Sequence, residues 1–251
     1  MTIIISTISG ANFWAIFAFW PVQAQQLYGP DSIRVSLDLL PYGYGIISGM
    51  VFFNWAMSIL GGANRELLAL ATAIMTAGTG AMACLTPSTP ALAKGISFLG
   101  AFGSGGLLSA PGIMLTIISP DELIATISAV LVSTKYIGAS IGYAVYFNVL
   151  ERSLSELLPK NVGIAVLGAG LPVTELAGFL KALLTPNTTA LSTYPSPIVQ
   201  VAEQAVEVSY VASFKLVYLI SIAFGGTAFI CCLFLGNIKR FMTDRVAVDI
   251  H

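Results

Sequence analysis

Residues 133–146 read STKYIGASIGYAVY, a lysine set inside a long apolar run. Whether this run crosses a membrane decides the fold. An unpaired ammonium at the centre of a bilayer costs about 3 kcal/mol on insertion scales. A membrane reading therefore requires a partner or a water-filled cavity for Lys135. Composition favours the membrane: 56% of the 251 residues are hydrophobic and 9% are charged, against about 25% charged in soluble domains. So few charges cannot cover the surface of a soluble globule.

Outward from this run, six segments are apolar over the roughly 20 residues a crossing requires. They lie at about 3–28, 39–60, 67–85, 95–118, 123–150 and 216–236. None alternates with the two-residue period of a barrel strand, so the expected fold is all-α, with six transmembrane helices. The first five are joined by short links, which implies antiparallel neighbours in a bundle. In the link SPDE (119–122), Ser119, Pro120 and Glu122 suggest a capping box opening the fifth helix.

Residues 151–215 form the long connection before the last span. They are too apolar for a plain linker, so partial helical structure is expected there. IVQVAEQAVEVSYVASF (198–214) has helical spacing, and a re-entrant segment near 162–184 is an alternative. Lys239, Arg240 and Arg245 follow the last span, within residues 237–251, which indicates a cytoplasmic tail. With six spans the N-terminus is then cytoplasmic as well and the long loop external. Asn187 is the one glycosylation sequon and falls in that loop.

Within the fifth span, Lys135 lies far from either end, beyond the reach of snorkelling. At 100° per residue, Gly142 and Tyr146 fall within about 20° of it. Gly138 and Gly142 form a GxxxG pair, a close-packing signature between membrane helices. Lys135 is thus placed on the packed face, either lining a transport pathway or bonded to a helix carbonyl or a tyrosine hydroxyl. Tyr146, Gln23, Gln26 and Asn54 are the further pathway candidates. Gly105 and Pro111, in the glycine-rich stretch GISFLGAFGSGGLLSAPG (95–112), are packing and bending candidates.

Several classes are excluded or left without support. No GxxxxGK[ST] phosphate loop occurs, and the single histidine is His251. Ser-His catalysis and a histidine metal cluster therefore have no candidates, and no enzyme activity, cofactor or metal is expected. No basic patch suggests nucleic acid. Cys84, Cys231 and Cys232 sit in apolar runs and read as small hydrophobic side chains.

LLPYGYGIISGMVFFNW (39–55), SAPGIMLTIISPDELIATISAVLVSTKYIGASIGYAVYFNVL (109–150) and FKLVYLISIAFGGTAFICCLFLGNIKRFMTDRVA (214–247) resemble the later helices of fungal major facilitator transporters. The nearest likeness is to the trichothecene efflux pump family, which is related to siderophore–iron transporters. The resemblance implies the C-terminal half of a plasma-membrane exporter. Its cargo would be a hydrophobic fungal metabolite or a siderophore, its coupling protonic, and its partners the bilayer and a missing N-terminal half or a second chain. Members often carry arginine where Lys135 stands, and lysine keeps the charge but not the planar fork. Against this stands a non-transporting six-helix remnant, or a subunit that partners another transporter.

Overall fold

A computed structural model describes residues 2–29, 31–60, 63–184 and 194–236. Eight α-helices occur among them: α1 Thr2–Phe17, α2 Phe19–Tyr28, α3 Ser32–Ile59, α4 Asn64–Ala81, α5 Pro90–Ile118, α6 Ile124–Gly168, α7 Val173–Leu184 and α8 Ser196–Leu233. No strand is found among the described residues. Six helical stretches are long and apolar enough to cross a membrane: Thr2–Tyr28, Ile33–Ile59, Asn64–Cys84, Pro90–Ile118, and parts of α6 and α8.

The first of these is interrupted at Ala18, between α1 and α2. Pro21 has no N–H to give the carbonyl of Phe17, four residues earlier, so the ladder loses a rung there. α1 is nonetheless the central helix, touching α4, α5, α6 and α8. Along its seam with α6, Thr7 meets Gly138 and Ala11 meets Gly142, so the two helices run parallel. A methyl on Gly142 would stand 2.6 Å from the Ala11 Cα. The GxxxG pair therefore packs backbone against backbone, as its spacing suggests.

α5 is the second hub. On one face Gly105 lies against Ile46 and Met50 of α3, and on another Gly103 lies against Ala71 and Met75 of α4. Pro111 is buried inside this helix. Small residues on both faces let α5 sit between two neighbours at close range. α3 and α6 are the least covered: 17% of the membrane window of each is buried, against 50% for the first span, α4 and α5.

The region 151–215 carries the helix expected over 198–214 and more helix besides. α6 runs unbroken for 45 residues and α8 for 38, so residues 151–168 and 196–215 are continuations of the spans rather than loop. Hydropathy marks where the bilayer ends, whereas ERSLSELL (151–158) keeps strong helix formers and carries the helix onward. Pro159 interrupts neither α6 nor its course to Gly168. The turn that follows uses Gly170 at φ 97°, a left-handed position suited to glycine. α7 then folds back, and Val162, Val166, Phe179, Ile198 and Ala202 form a satellite apolar core. Residues 162–168 thus end α6, and the chain turns back through α7. Ser153–Ser213 (2.9 Å) and Asn161–Ser209 (3.0 Å) bonds tie α6 to α8 in this extension.

The expected capping box is also corrected. The Ser119 hydroxyl donates back to the Leu115 carbonyl and so closes α5, and a 3₁₀ turn at Asp121–Leu123 precedes α6. Asn187 and Lys239, Arg240 and Arg245 lie outside the described residues.

Candidate functional site

Phe13, Trp14 and Phe17 lie within about one helical turn of each other, just before the break in the first span. They reach two neighbours. Phe13 and Phe17 approach the Tyr42 ring of α3 at 6.3 and 6.4 Å, and Trp14 meets Tyr143 of α6 edge-on at 6.3 Å. Phe19 stacks on Tyr143 at 5.6 Å, and Phe147 stacks on it at 6.0 Å. The result is an aromatic cleft with α1 at its back and α3 and α6 at its sides. A cavity of about 330 Å³ opens on it, bounded by Trp14, Ala139, Ser140 and Tyr143.

Polar groups sit behind the rings. The buried Tyr146 hydroxyl donates to Asn12 Oδ1 at 3.3 Å, and the Asn12 amide nitrogen has no partner among the described residues. The Tyr42 hydroxyl is likewise buried and has no partner among the described residues. Gln23 is buried and accepts from Tyr218 of α8 at 2.7 Å. Gln26, its companion in the sequence, is exposed at the bundle end. Asn54 and Ser109 exchange bonds of 3.0 and 3.2 Å between α3 and α5.

Lys135 is half-buried, and its ammonium donates to the Leu108 carbonyl of α5 at 2.7 Å. That carbonyl lies in the turn before Pro111, beside the Leu107 carbonyl, which the proline leaves without its helical N–H partner. The lysine thus has a carbonyl partner, the arrangement that makes a charge at this depth tolerable. It bridges α5 and α6.

The pathway candidates therefore do not converge on one point. Tyr146 joins the central layer, Lys135 bridges two side helices, Gln23 and Asn54 pair locally, and Gln26 faces outward. The sequence reading did not single out Asn12, Trp14, Phe17 or Tyr143. Asn12 carried a signal, as an amide inside an apolar span, but aromatic residues at helical spacing look the same whether they line a cleft or meet lipid. Asp38 was placed just outside the second span. It belongs to α3 and pairs with Lys94 of α5 at 2.8 Å. No group of three or more potential metal-ligating His, Cys, Asp or Glu residues occurs among the described residues. What the cleft offers chemically is ring surface with a few uncharged hydrogen-bonding groups behind it.

Comparison with known proteins bears on this arrangement. The family model for the fungal trichothecene efflux pump (TRI12) matches residues 1–251. The trichothecene efflux pump TRI12 of Trichoderma arundinaceum is 26% identical over 99% of this chain and 43% of its own length. That of Fusarium sporotrichioides is 22% identical over 99% of this chain and 42% of its own. The MFS-type transporter prx5 of Penicillium rubens is 21% identical over 94% of this chain and 44% of its own. The chain thus spans less than half the length of these relatives. A multi-pass helical bundle matched along its whole length by one family model, this chain belongs to the fungal trichothecene efflux pump (TRI12) family.

Proposed function

We propose that this chain is the C-terminal half of a proton-coupled exporter of trichothecene-like metabolites, with the cleft between α3 and α6 as its side of the cargo pathway. The observation that carries the reading is the pair of membrane helices α3 and α6, left largely uncovered on either side of an aromatic-lined α1. A transporter of this class works by rocking two halves around a site between them. In this reading the uncovered helices meet the other half and the rings face its opposite wall. Ring surface with uncharged polar groups suits a cargo that is mostly apolar and carries a few oxygens. Lys135 straps α5 to α6 through the Leu108 carbonyl and exchanges that bond during the cycle. In this reading an ion gradient supplies the free energy.

By itself the chain has one wall of a pathway and carries no flux. The test joins it to the first half of the Fusarium sporotrichioides relative in a pump-deficient, trichothecene-sensitive yeast. Export and growth should return with the joined protein and not with the 251-residue chain. Trp14→Ala and Tyr143→Ala should lower export at equal membrane abundance. Saturable export by purified 251-residue protein in vesicles would refute the half-pathway reading. Full export in both aromatic variants would refute the cleft.

The bundle lies in the plasma membrane with the extension outside and both termini cytoplasmic in this reading. The antiparallel pairing of the first span, α1 and α2 together, with α8, Gln23 beside Tyr218 and Asn12 beside Gly225, supports a shared side for the two ends. Val173 is 74% exposed at the start of α7. A Val173→Cys variant should react with a membrane-impermeant maleimide on intact cells, and labelling only after permeabilisation would invert the topology.

A further inference from the structure

A second cavity lies away from the aromatic cleft, where the bundle gives way to the extension. It has a volume of about 600 Å³ and is bounded by the end of α2, the outer part of α6, α7 and the first turns of α8. This volume falls in the range of small-molecule sites, roughly 300–1,000 Å³.

Its walls are electrostatically one-sided. Glu203 and Glu207, one helical turn apart on α8, both line it. Neither forms a salt bridge with another described residue. No lysine or arginine is among the described lining residues. Facing them are Gln25 and Gln26, in the last turn of α2. That turn ends at Gly29, where φ of 114° takes the chain out of the helix. A helix end of this polarity carries partial negative charge on its last carbonyls. A second source of negative potential, independent of the carboxylates, therefore points at the same space.

The cavity also has an apolar side and a ring. Leu158 and Val206 supply hydrocarbon. Tyr210 lines the wall and is stacked on Phe214 at 6.1 Å, which holds its ring in place. Carboxylates, helix-end carbonyls and an aromatic face together favour a cation. The hydrocarbon selects against a strongly hydrated metal ion. We infer that this groove binds an amphipathic organic cation, one positive centre on an apolar body, at a site separate from the transmembrane cleft. The inference is independent of the transport reading, since a bundle that moves no cargo still presents this groove.

The test uses the full chain in nanodiscs of zwitterionic phosphatidylcholine, with radiolabelled tetraphenylphosphonium as the probe in equilibrium dialysis against empty discs. One saturable site is expected, with no saturable binding of the neutral triphenylphosphine oxide. The double variant Glu203→Gln/Glu207→Gln should weaken binding roughly tenfold, as two partly solvated ion pairs would. Tyr210→Leu should weaken it severalfold. Glu175→Gln, on α7 and not part of the groove, should leave it unchanged. Raising salt from about 50 mM to about 500 mM should weaken the wild type and affect the double variant little. Glutamine keeps the shape of glutamate, and size-exclusion profiles of the variants check folding. Absence of saturable binding in the wild type would overturn the inference, as would equal affinity in the double variant. Loss of binding in Trp14→Ala with retention in the double variant would overturn it too, by placing the cation in the transmembrane cleft.

Discussion

Replacing Gly142 with alanine adds one methyl group to the seam between α1 and α6, and the structure predicts its effect in sign and size. The new Cβ would lie 2.6 Å from the Ala11 Cα, 2.7 Å from its Cβ and 2.9 Å from its carbonyl oxygen. Carbon atoms rest at about 3.5–4.0 Å, so the two helices must part by roughly 1 Å. Nothing at the contact can turn aside, because two of the three atoms are backbone and the third is a methyl. Overpacking of this kind costs about 1–3 kcal/mol. Alanine returns up to about 1 kcal/mol through helix propensity, which leaves a net loss on the order of 1–2 kcal/mol. Gly43 is the control. It lies inside α3 with nothing within 4 Å of an added Cβ, so Gly43→Ala should be neutral or stabilising. Both variants are compared by detergent-solubilised unfolding, followed by tryptophan fluorescence. Gly138 also meets α1, at Thr7. Since either methyl opens the same seam, Gly138→Ala and Gly142→Ala together should cost less than the sum of the two. If Gly142→Ala proves as stable as Gly43→Ala, backbone-to-backbone packing at this seam is refuted.

Three further outcomes are expected. A double-mutant cycle of Asn54→Ala and Ser109→Ala should give a coupling of roughly 0.6–1.7 kcal/mol in unfolding measurements, the range for hydrogen bonds between membrane helices. Tyr218→Phe leaves the buried Gln23 carbonyl oxygen unpaired and should destabilise by about 1–3 kcal/mol; adding Gln23→Leu should recover part of that loss, and no recovery would mean the pair is not coupled. In the joined transporter, Lys135→Leu should reach the membrane at normal abundance yet lose export, while Lys135→Arg keeps part of it. Normal flux in Lys135→Leu would remove the lysine from the pathway.

The apolar spans were legible because hydrophobicity over some 20 residues reports directly on the bilayer. The face of α6 that packs was legible too, since Lys135, Gly138, Gly142 and Tyr146 share it by helical spacing alone. Partners were not. The atom that receives the Lys135 ammonium is the carbonyl of Leu108, and a carbonyl belongs to every residue, so no residue type announces it. Tyr146 was singled out, yet its partner Asn12 lies 134 positions away on a helix that could have packed in many registers. The continuation of α6 beyond residue 150 was hidden for a different reason, whereas the helical spacing of 198–214 did show the start of α8. Glu151, Arg152, Glu156 and Lys160 end the hydrophobic signal without ending the helix, because the charges that forbid lipid are compatible with α-helix in water. The aromatic cleft was hidden because Trp14 and Tyr143 differ from lipid-facing rings only in what stands opposite them.

The length of α6 has a mechanical consequence. From Lys135, near the middle of its span, to Gly168 at its tip there are 33 residues (168 minus 135) of one helix, or about 50 Å at 1.5 Å per residue. The bonds to α8 and the satellite apolar core make that arm stiff rather than a tether. A tilt of about ten degrees at the midplane would therefore carry the tip through roughly 9 Å, several times the displacement felt at the aromatic cleft. In the transport reading proposed above, the extension acts as a lever that converts a small rearrangement among the cleft's rings into a wide sweep of its tip. A probe on Val173 would read the state of the bundle from outside the membrane, without a label anywhere near the cargo.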